Sequence, residues 1–204
     1  MRGVPRRTRV PPPKHARPEA RARAWRALED ARAAGKCRFI GVSNYCTELL
    51  LEMKSYARVL PAVNQLELHP RFASPRLRQV AAEMGVVLVG YGSGTSVQIE
   101  HSSVVRDIAA ACSAADGASA GTAWSPTQVV LAWTLQRGVA VIPRSGDAGH
   151  IRANLAVLGG EGKGEGDGEG GVALALSDAQ LAALDALDEN YPYYWCPKPN
   201  MDTL

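Results

Sequence analysis

The chain has 204 residues, room for one domain or one and a half. Hydrophobic residues make up 46% and charged residues 21%, with a mean hydropathy of −0.12, which excludes wholesale disorder. No window nears the roughly 18 apolar residues of a membrane span, so membrane partners are not expected. Four scattered cysteines without a C-x-x-C exclude a zinc ribbon and suit reduced thiols in a cytoplasmic compartment.

The net charge of +3 is split unevenly. Residues 1–26 hold nine Lys/Arg and one acid, Glu19, a net of about +8, and the remainder carries about −5. Such an arm can bind nucleic acid or serve as a transit peptide. The segment lacks serine, and an exposed loop leading into a helix is the favoured reading; no nucleic-acid partner is expected. The chain divides into a basic, proline-rich arm (1–18), a domain (19–190) and an aromatic tail (191–204).

The arm opens irregularly, since Pro11–Pro13 cannot be helix interior. Residues 19–34 are dense in Ala, Leu, Arg and Glu and predict a helix with Trp25, Leu28 and Arg32 on one face. Residues 37–42 predict a buried strand. A helix over 46–57 follows, then a strand over 62–68 with two unusual polar members, Asn64 and Gln65. Next come a helix over 75–84 and a strand over 86–91. A helix is expected over 102–114, and another over 125–137 starts at a Ser-Pro pair. The last strand, 139–142, is closed by Pro143. Helices over 147–157 and 177–188 complete the pattern. Residues 159–171 hold eight glycines and four acids, a low-complexity surface insertion without calcium-loop spacing, so no metal is expected. Tyr191, Tyr193, Tyr194 and Trp195 either pack back on the domain or wall a pocket.

Four strand–helix alternations of apolar strands predict an α/β class with a parallel sheet covered on both faces. Chemistry in such folds lies just past the strand ends. There the chain places Ser43-Asn44, His69-Pro70, Tyr91-Gly92-Ser93-Gly94 and Arg144-Ser145. This is a set of amides, hydroxyls, a phenol and a cation. Asn and Gln amides recognise another carboxamide, Tyr91 offers a stacking face, and Arg144-Ser145 before a helix suits a phosphate. Together they suit a nicotinamide nucleotide. A dinucleotide G-x-G-x-x-G is absent from the 90–94 glycines, and no G-x-S-x-G marks a hydrolase. His69, before proline, reads as a satisfied structural histidine.

The run GKCRFIGVSNY (35–45) resembles the G-K-x-R-x-I-G-V-S-N-F segment of the aldo-keto reductases. PAVNQLELHP (61–70) resembles their P-x-x-N-Q-x-E-x-H-P. SPTQVVLAW (125–133), GVAVIPRS (138–145) and WRALE (25–29) resemble further segments, in order, from about residue 20 to 190. The resemblance implies a (β/α)8 TIM-barrel relative, here an incomplete barrel of about four βα units matching strands five to eight. It implies NADP(H) as cofactor and a small-molecule carbonyl substrate reduced by hydride transfer. It maps the nicotinamide carboxamide onto Ser43, Asn44 and Gln65, and the stacking ring onto Tyr91. The adenosine 2′-phosphate maps onto Arg144, Ser145 and His150, the adenine onto Asn154, and the aromatic substrate wall onto Trp195.

Departures from the family pattern carry expectations too. His150 stands where the family has Arg, and Ala153 where it has Glu. Because imidazole charges near neutral pH, selectivity for the 2′-phosphate is expected to be weaker and pH-sensitive. The family's Asp, Tyr, Lys and His tetrad lies on the first four strands, and none of its motifs occurs here. The chain is therefore expected to be a fragment, or inactive alone, with no catalytic residue of its own. Four parallel strands leave open edges, through which self-association is possible. The alternative is a non-catalytic, barrel-like binding or regulatory subunit.

Overall fold

The computed structural model describes residues 17–93, 99–117, 123–158, 173–190 and 192–193, apart from the Glu100 side chain. Residues 1–16, the 159–171 insertion, Gly94, Thr95, Tyr191, Tyr194 and Trp195 lie outside the described residues.

The described elements are α1 (Pro18–Ala33), β1 (Gly41–Ser43), α2 (Thr47–Glu52), β2 (Val63–Glu67), α3 (Pro75–Glu83), β3 (Val87–Tyr91), α4 (Ser103–Ala115), α5 (Pro126–Gln136), β4 (Ala140–Val141), α6 (Ala148–Ala156) and α7 (Asp178–Asp185). The strands form one parallel sheet in the order β1-β2-β3-β4. That sequential order has no switch point, which separates the sheet from a doubly wound dinucleotide fold. Right-handed crossovers between sequential neighbours put the helices that connect the strands on the same side. Burial alternates accordingly along β2: Asn64 and Leu66 are buried, while Val63 and Gln65 are exposed. Val87, at the start of β3, is 52% exposed. The expectation of a sheet covered on both faces is thus corrected. One face is packed, and the other is bare in the described residues.

The expected strand over 37–42 begins to pair only at Gly41, in register with Val63. Pro61 has no N–H to extend the ladder, and Phe39 stands 72% exposed. Gly41 is required at the crossing, since a Cβ there would meet Val63 Cγ2 at 2.4 Å and Val63 O at 2.8 Å. The strand over 139–142 shrinks to Ala140–Val141 because Pro143 ends it and Ile142 turns outward. The helix over 46–57 breaks after Glu52 into a 3-10 turn, Met53–Ser55.

On α1 the expected face is also corrected. Trp25 is buried and donates Nε1–H to Val59 O at 3.0 Å, but its buried companion is Glu29, and Leu28 is exposed. Glu29 accepts from Arg58 N (2.7 Å), Arg58 Nε (2.8 Å) and Val59 N (2.9 Å). Burial pushes its carboxyl up, and the Arg58 guanidinium with the two backbone N–H groups outweighs this and holds it below the usual range.

The packed face is a continuous core in which Leu50, Met53, Leu66, Leu68, Leu77 and Trp133 are fully buried. Each such side chain contributes about 1.5–3 kcal/mol through burial. Ser125 and Ser177 each form a reciprocal cap, with Gln128 and Gln180, at the starts of α5 and α7. The Trp133 indole N–H donates to Asp185 Oδ1 at 2.9 Å, and Arg137 pairs with the same carboxylate, tying α5 to α7.

Candidate functional site

The ends of β1, β2 and β3 build one cluster. Ser43 and Gln65 are register partners. Ser43 Oγ and the Asn44 backbone N–H both donate to Gln65 O at 2.8 Å. Asn44 takes a left-handed backbone, φ 59°, a conformation asparagine tolerates better than most residues. Asn64, buried on the helix side, holds that turn from behind. It accepts from Tyr45 N at 3.3 Å and donates Nδ2–H to Tyr45 O at 2.9 Å. In front, the Tyr91 hydroxyl donates to Asn44 Oδ1 at 2.9 Å. The Asn44 amide N–H groups make no hydrogen bond among the described residues. Gln65 projects on the bare face, exposed. Four predicted residues therefore come together: a hydroxyl, two carboxamides and a phenol.

The end of β4 builds a second, looser group. Arg144 is exposed, and Ser145 Oγ accepts from Asp147 N at 3.1 Å. Asp147 caps α6, its Oδ1 accepting from His150 N at 2.8 Å. That backbone N–H holds the Asp147 carboxyl below its usual range. The His150 ring lies farther off, Nδ1 at 4.0 Å from the same oxygen. Asn154 is half-buried on α6, a helix with no buried residue. Sequence reading missed Asp147. Its signal was available, an Asp three residues before a backbone N–H at a helix start. Its consequence is that a negative charge already occupies the helix end expected to receive a phosphate.

A third group lies one step beyond Gln65. Glu67 and His69 are both buried, with Glu67 Oε1 3.0 Å from His69 Nε2. The Tyr193 backbone N–H donates to the same Glu67 oxygen at 2.7 Å. Tyr193 also packs edge-on against the His69 ring, with centroids 5.7 Å apart. For Tyr193 packing against the domain is what the structure shows. Trp195 lies outside the described residues. His69 is not fully satisfied as expected: Nδ1 is buried with no hydrogen-bond partner among the described residues.

Among the described residues no group of three or more His, Cys, Asp and Glu could hold a metal. A cleft lined by Arg78, Gly85, Val87, Arg137 and Val139 opens at the starts of the strands, opposite the clusters above. Its Arg137 is already paired with Asp185.

A sequential parallel sheet with helices on one side and polar groups at its strand exits is a wedge of an α/β barrel, and the solved structures it resembles are such barrels. The apo crystal structure of Gox0644 superposes with a TM-score of 0.71 at 25% identity, covering 89% of this chain and 58% of that one. The silkworm (Bombyx mori) aldo-keto reductase AKR2E5, crystallised with NADPH, matches in fold with a TM-score of 0.67 at 21% identity, covering 84% of this chain and 48% of that one. The aldo/keto reductase family model matches residues 9–160. The chain belongs to the aldo/keto reductase family. Aldo-keto reductase family 4 member C11 of Arabidopsis thaliana is 38% identical over 142 residues, 66% of this chain and 42% of the relative. An NADPH-dependent D-xylose reductase of Meyerozyma guilliermondii is 35% identical over 142 residues, 65% of this chain and 43% of the relative. The chain spans about half the length of the curated relatives it matches. No helix among the described residues is long and apolar enough to cross a membrane.

Proposed function

We propose that this chain is the cofactor-holding part of an NADP(H)-dependent carbonyl reductase, and that it binds the nucleotide without completing turnover by itself. The observation that carries the reading is the three-strand cluster, in which Tyr91 OH donates to Asn44 Oδ1 at 2.9 Å while Ser43 and Asn44 both bond Gln65 O. A nicotinamide carboxamide offers one acceptor and two donors. Gln65 and the Asn44 amide N–H groups present the complementary set. Ser43 is engaged in fixing the turn, so its part is to position Asn44. Tyr91 supplies the ring face against which an aromatic base would stack.

The fit at the other end is partial. Arg144, Ser145 and His150 suit an adenosine 2′-phosphate, and Asn154 suits the adenine edge. Asp147 works against them, since its ionised carboxylate opposes a phosphate at the same helix start. Weak, pH-sensitive selectivity for the phosphorylated form fits that balance.

When bound, the reduced nicotinamide supplies a hydride to a carbonyl carbon. The described strand exits hold groups that bind and orient, while the alkoxide formed by reduction needs a general acid beside it. That acid would come from strands outside this chain, supplied by a longer parent or by a partner seated on the bare sheet face. The bare face, with Val63, Gln65 and Val87 exposed, is also what favours the second reading, a binding subunit whose partner is a protein. Cys37, Cys46 and Cys112 are free thiols, as suits the cytoplasmic setting proposed here.

The test is a titration of the full chain with NADPH, followed by nicotinamide fluorescence, with and without an aldehyde. Saturable binding without NADPH consumption is expected, and Gln65→Ala is expected to weaken it. No binding to the chain, alone or with the missing strands supplied, overturns the cofactor reading.

A further inference from the structure

The residues that close the described chain are stitched to the loop leaving β2. Glu189 N donates to Arg71 O at 3.0 Å, and Ala73 N donates to Asp188 Oδ1 at 3.3 Å. The Tyr193 hydroxyl donates to Glu189 Oε2 at 2.7 Å and accepts from Arg71 at 3.1 Å. These contacts lie at the rim and are partly exposed. The innermost contact differs. Glu67 is 2% exposed, at the last position of β2, in register with Tyr91. It lies on the same strand face as Gln65, two residues on. Gln65 is exposed and Glu67 is buried, because the C-terminal segment sits over Glu67.

A buried carboxylate is costly unless donors meet it. Here one oxygen faces both the Tyr193 backbone N–H at 2.7 Å and His69 Nε2 at 3.0 Å. A packing role alone would be served by an apolar side chain. An acceptor of this strength, shared between the His69 ring and a backbone N–H of the segment, fixes where the segment lies.

We infer that Glu67 is the positioning residue that anchors the C-terminal segment, at Tyr193, over the exit of β2 beside Gln65 and Tyr91. That the anchored segment borders a carboxamide-binding cluster rests on the function proposed above. The anchoring itself does not.

The test is amide hydrogen exchange of the full chain, read residue by residue by NMR. In Glu67→Ala the Tyr193 amide is expected to exchange at least about tenfold faster, while β2 and β3 amides such as Leu66 and Leu88 stay near wild type. Glu67→Gln keeps an acceptor oxygen and is expected to restore most of the protection. Tyr193→Phe keeps the backbone donor, loses only the rim contacts, and is expected to perturb less than Glu67→Ala. An unchanged Tyr193 amide in Glu67→Ala overturns the inference. So does an equal loss across the whole sheet that Glu67→Gln does not repair, or a Tyr193→Phe effect as large as that of Glu67→Ala. Failure to bind NADPH, alone or with the missing strands supplied, with this exchange pattern intact, removes the cofactor reading and leaves the anchor in place.

Discussion

The two ends of the candidate cofactor site are made differently. At the exits of β1–β3 each group is set by strand backbone: Ser43 and Asn44 on Gln65 O, Asn64 behind them, Tyr91 in front. At β4 the strand is two residues long, and α6 buries no side chain. Recognition there rests on exposed Arg144 and His150 around a capping Asp147. A site held by a core keeps its geometry without ligand. A site held by surface charges is shaped by pH and salt.

The sharpest way to break this comparison is through the core. Leu66 is fully buried under β2, so Leu66→Ala is expected to destabilise the chain by about 2–5 kcal/mol in denaturant unfolding. Leu155 on α6 is 55% exposed, and Leu155→Ala is expected to cost less than about 0.5 kcal/mol. Comparable losses would show that α6 is as integral to the fold as β2. The next effect is at the sheet edge. Gly41→Ala forces a Cβ onto Val63 backbone and side chain, and a cost of about 1–3 kcal/mol is expected from the same unfolding experiment. A neutral Gly41→Ala would mean that β1 yields freely, and the cluster would lose its claim to be preformed.

Much of the core-held end was legible in the sequence, and less of the rest. Asn64 and Gln65 stood out as polar members of an apolar strand, and they now divide the work: one braces the Asn44 turn, the other faces outward. Ser43, Asn44 and Tyr91 were found by position after strands, a rule that needs only element order. Strand ends were overrun at Phe39, because apolar character does not reveal that Pro61 stops the ladder on the neighbouring strand, and at Ile142, which lies outside the ladder although Pro143 was read as its end. Which face is bare came from the barrel resemblance alone, since the apolar pattern of the strands does not show strand order. Glu67–Tyr193 spans 126 residues, and no local spacing announces it. Trp25 was placed on one face with Leu28 and Arg32, whereas its buried companion is Glu29, whose partner Arg58 lies beyond α2.

A smaller effect tests the cluster itself. Asn44→Ala removes the acceptor of the Tyr91 hydroxyl and one carboxamide, and Tyr91→Phe removes the donor alone. Losses of about five- to tenfold and about twofold in NADPH affinity are expected, with unfolding midpoints nearly unchanged for Tyr91→Phe, whose hydroxyl is only part-buried. Equal losses would mean that the hydrogen bond between them, rather than the Asn44 amide, sets the affinity.

A comparably small effect concerns Asp147. Asp147→Ser keeps a capping oxygen for His150 N but removes the charge. NADPH affinity is then expected to rise about two- to threefold relative to NADH, because the repulsion acts on the 2′-phosphate alone. The same carboxylate gives α6 an acid limit. Its pKa is lower in the folded chain, so its capping contribution is fully present above the ordinary aspartate range and is lost as pH falls through the lowered value. Measured against the intrinsic exchange rate at each pH, the protection of α6 amides is therefore expected to fall below about pH 4 in the wild type and to keep its neutral-pH value in Asp147→Ser. If Asp147→Ser changes neither the NADPH/NADH ratio nor the acid response of α6, the charged end of the site is not governed by its cap. Arg144 and His150 would then bear the whole discrimination, a case that a pH 6 to pH 8 comparison of the two nucleotides would expose.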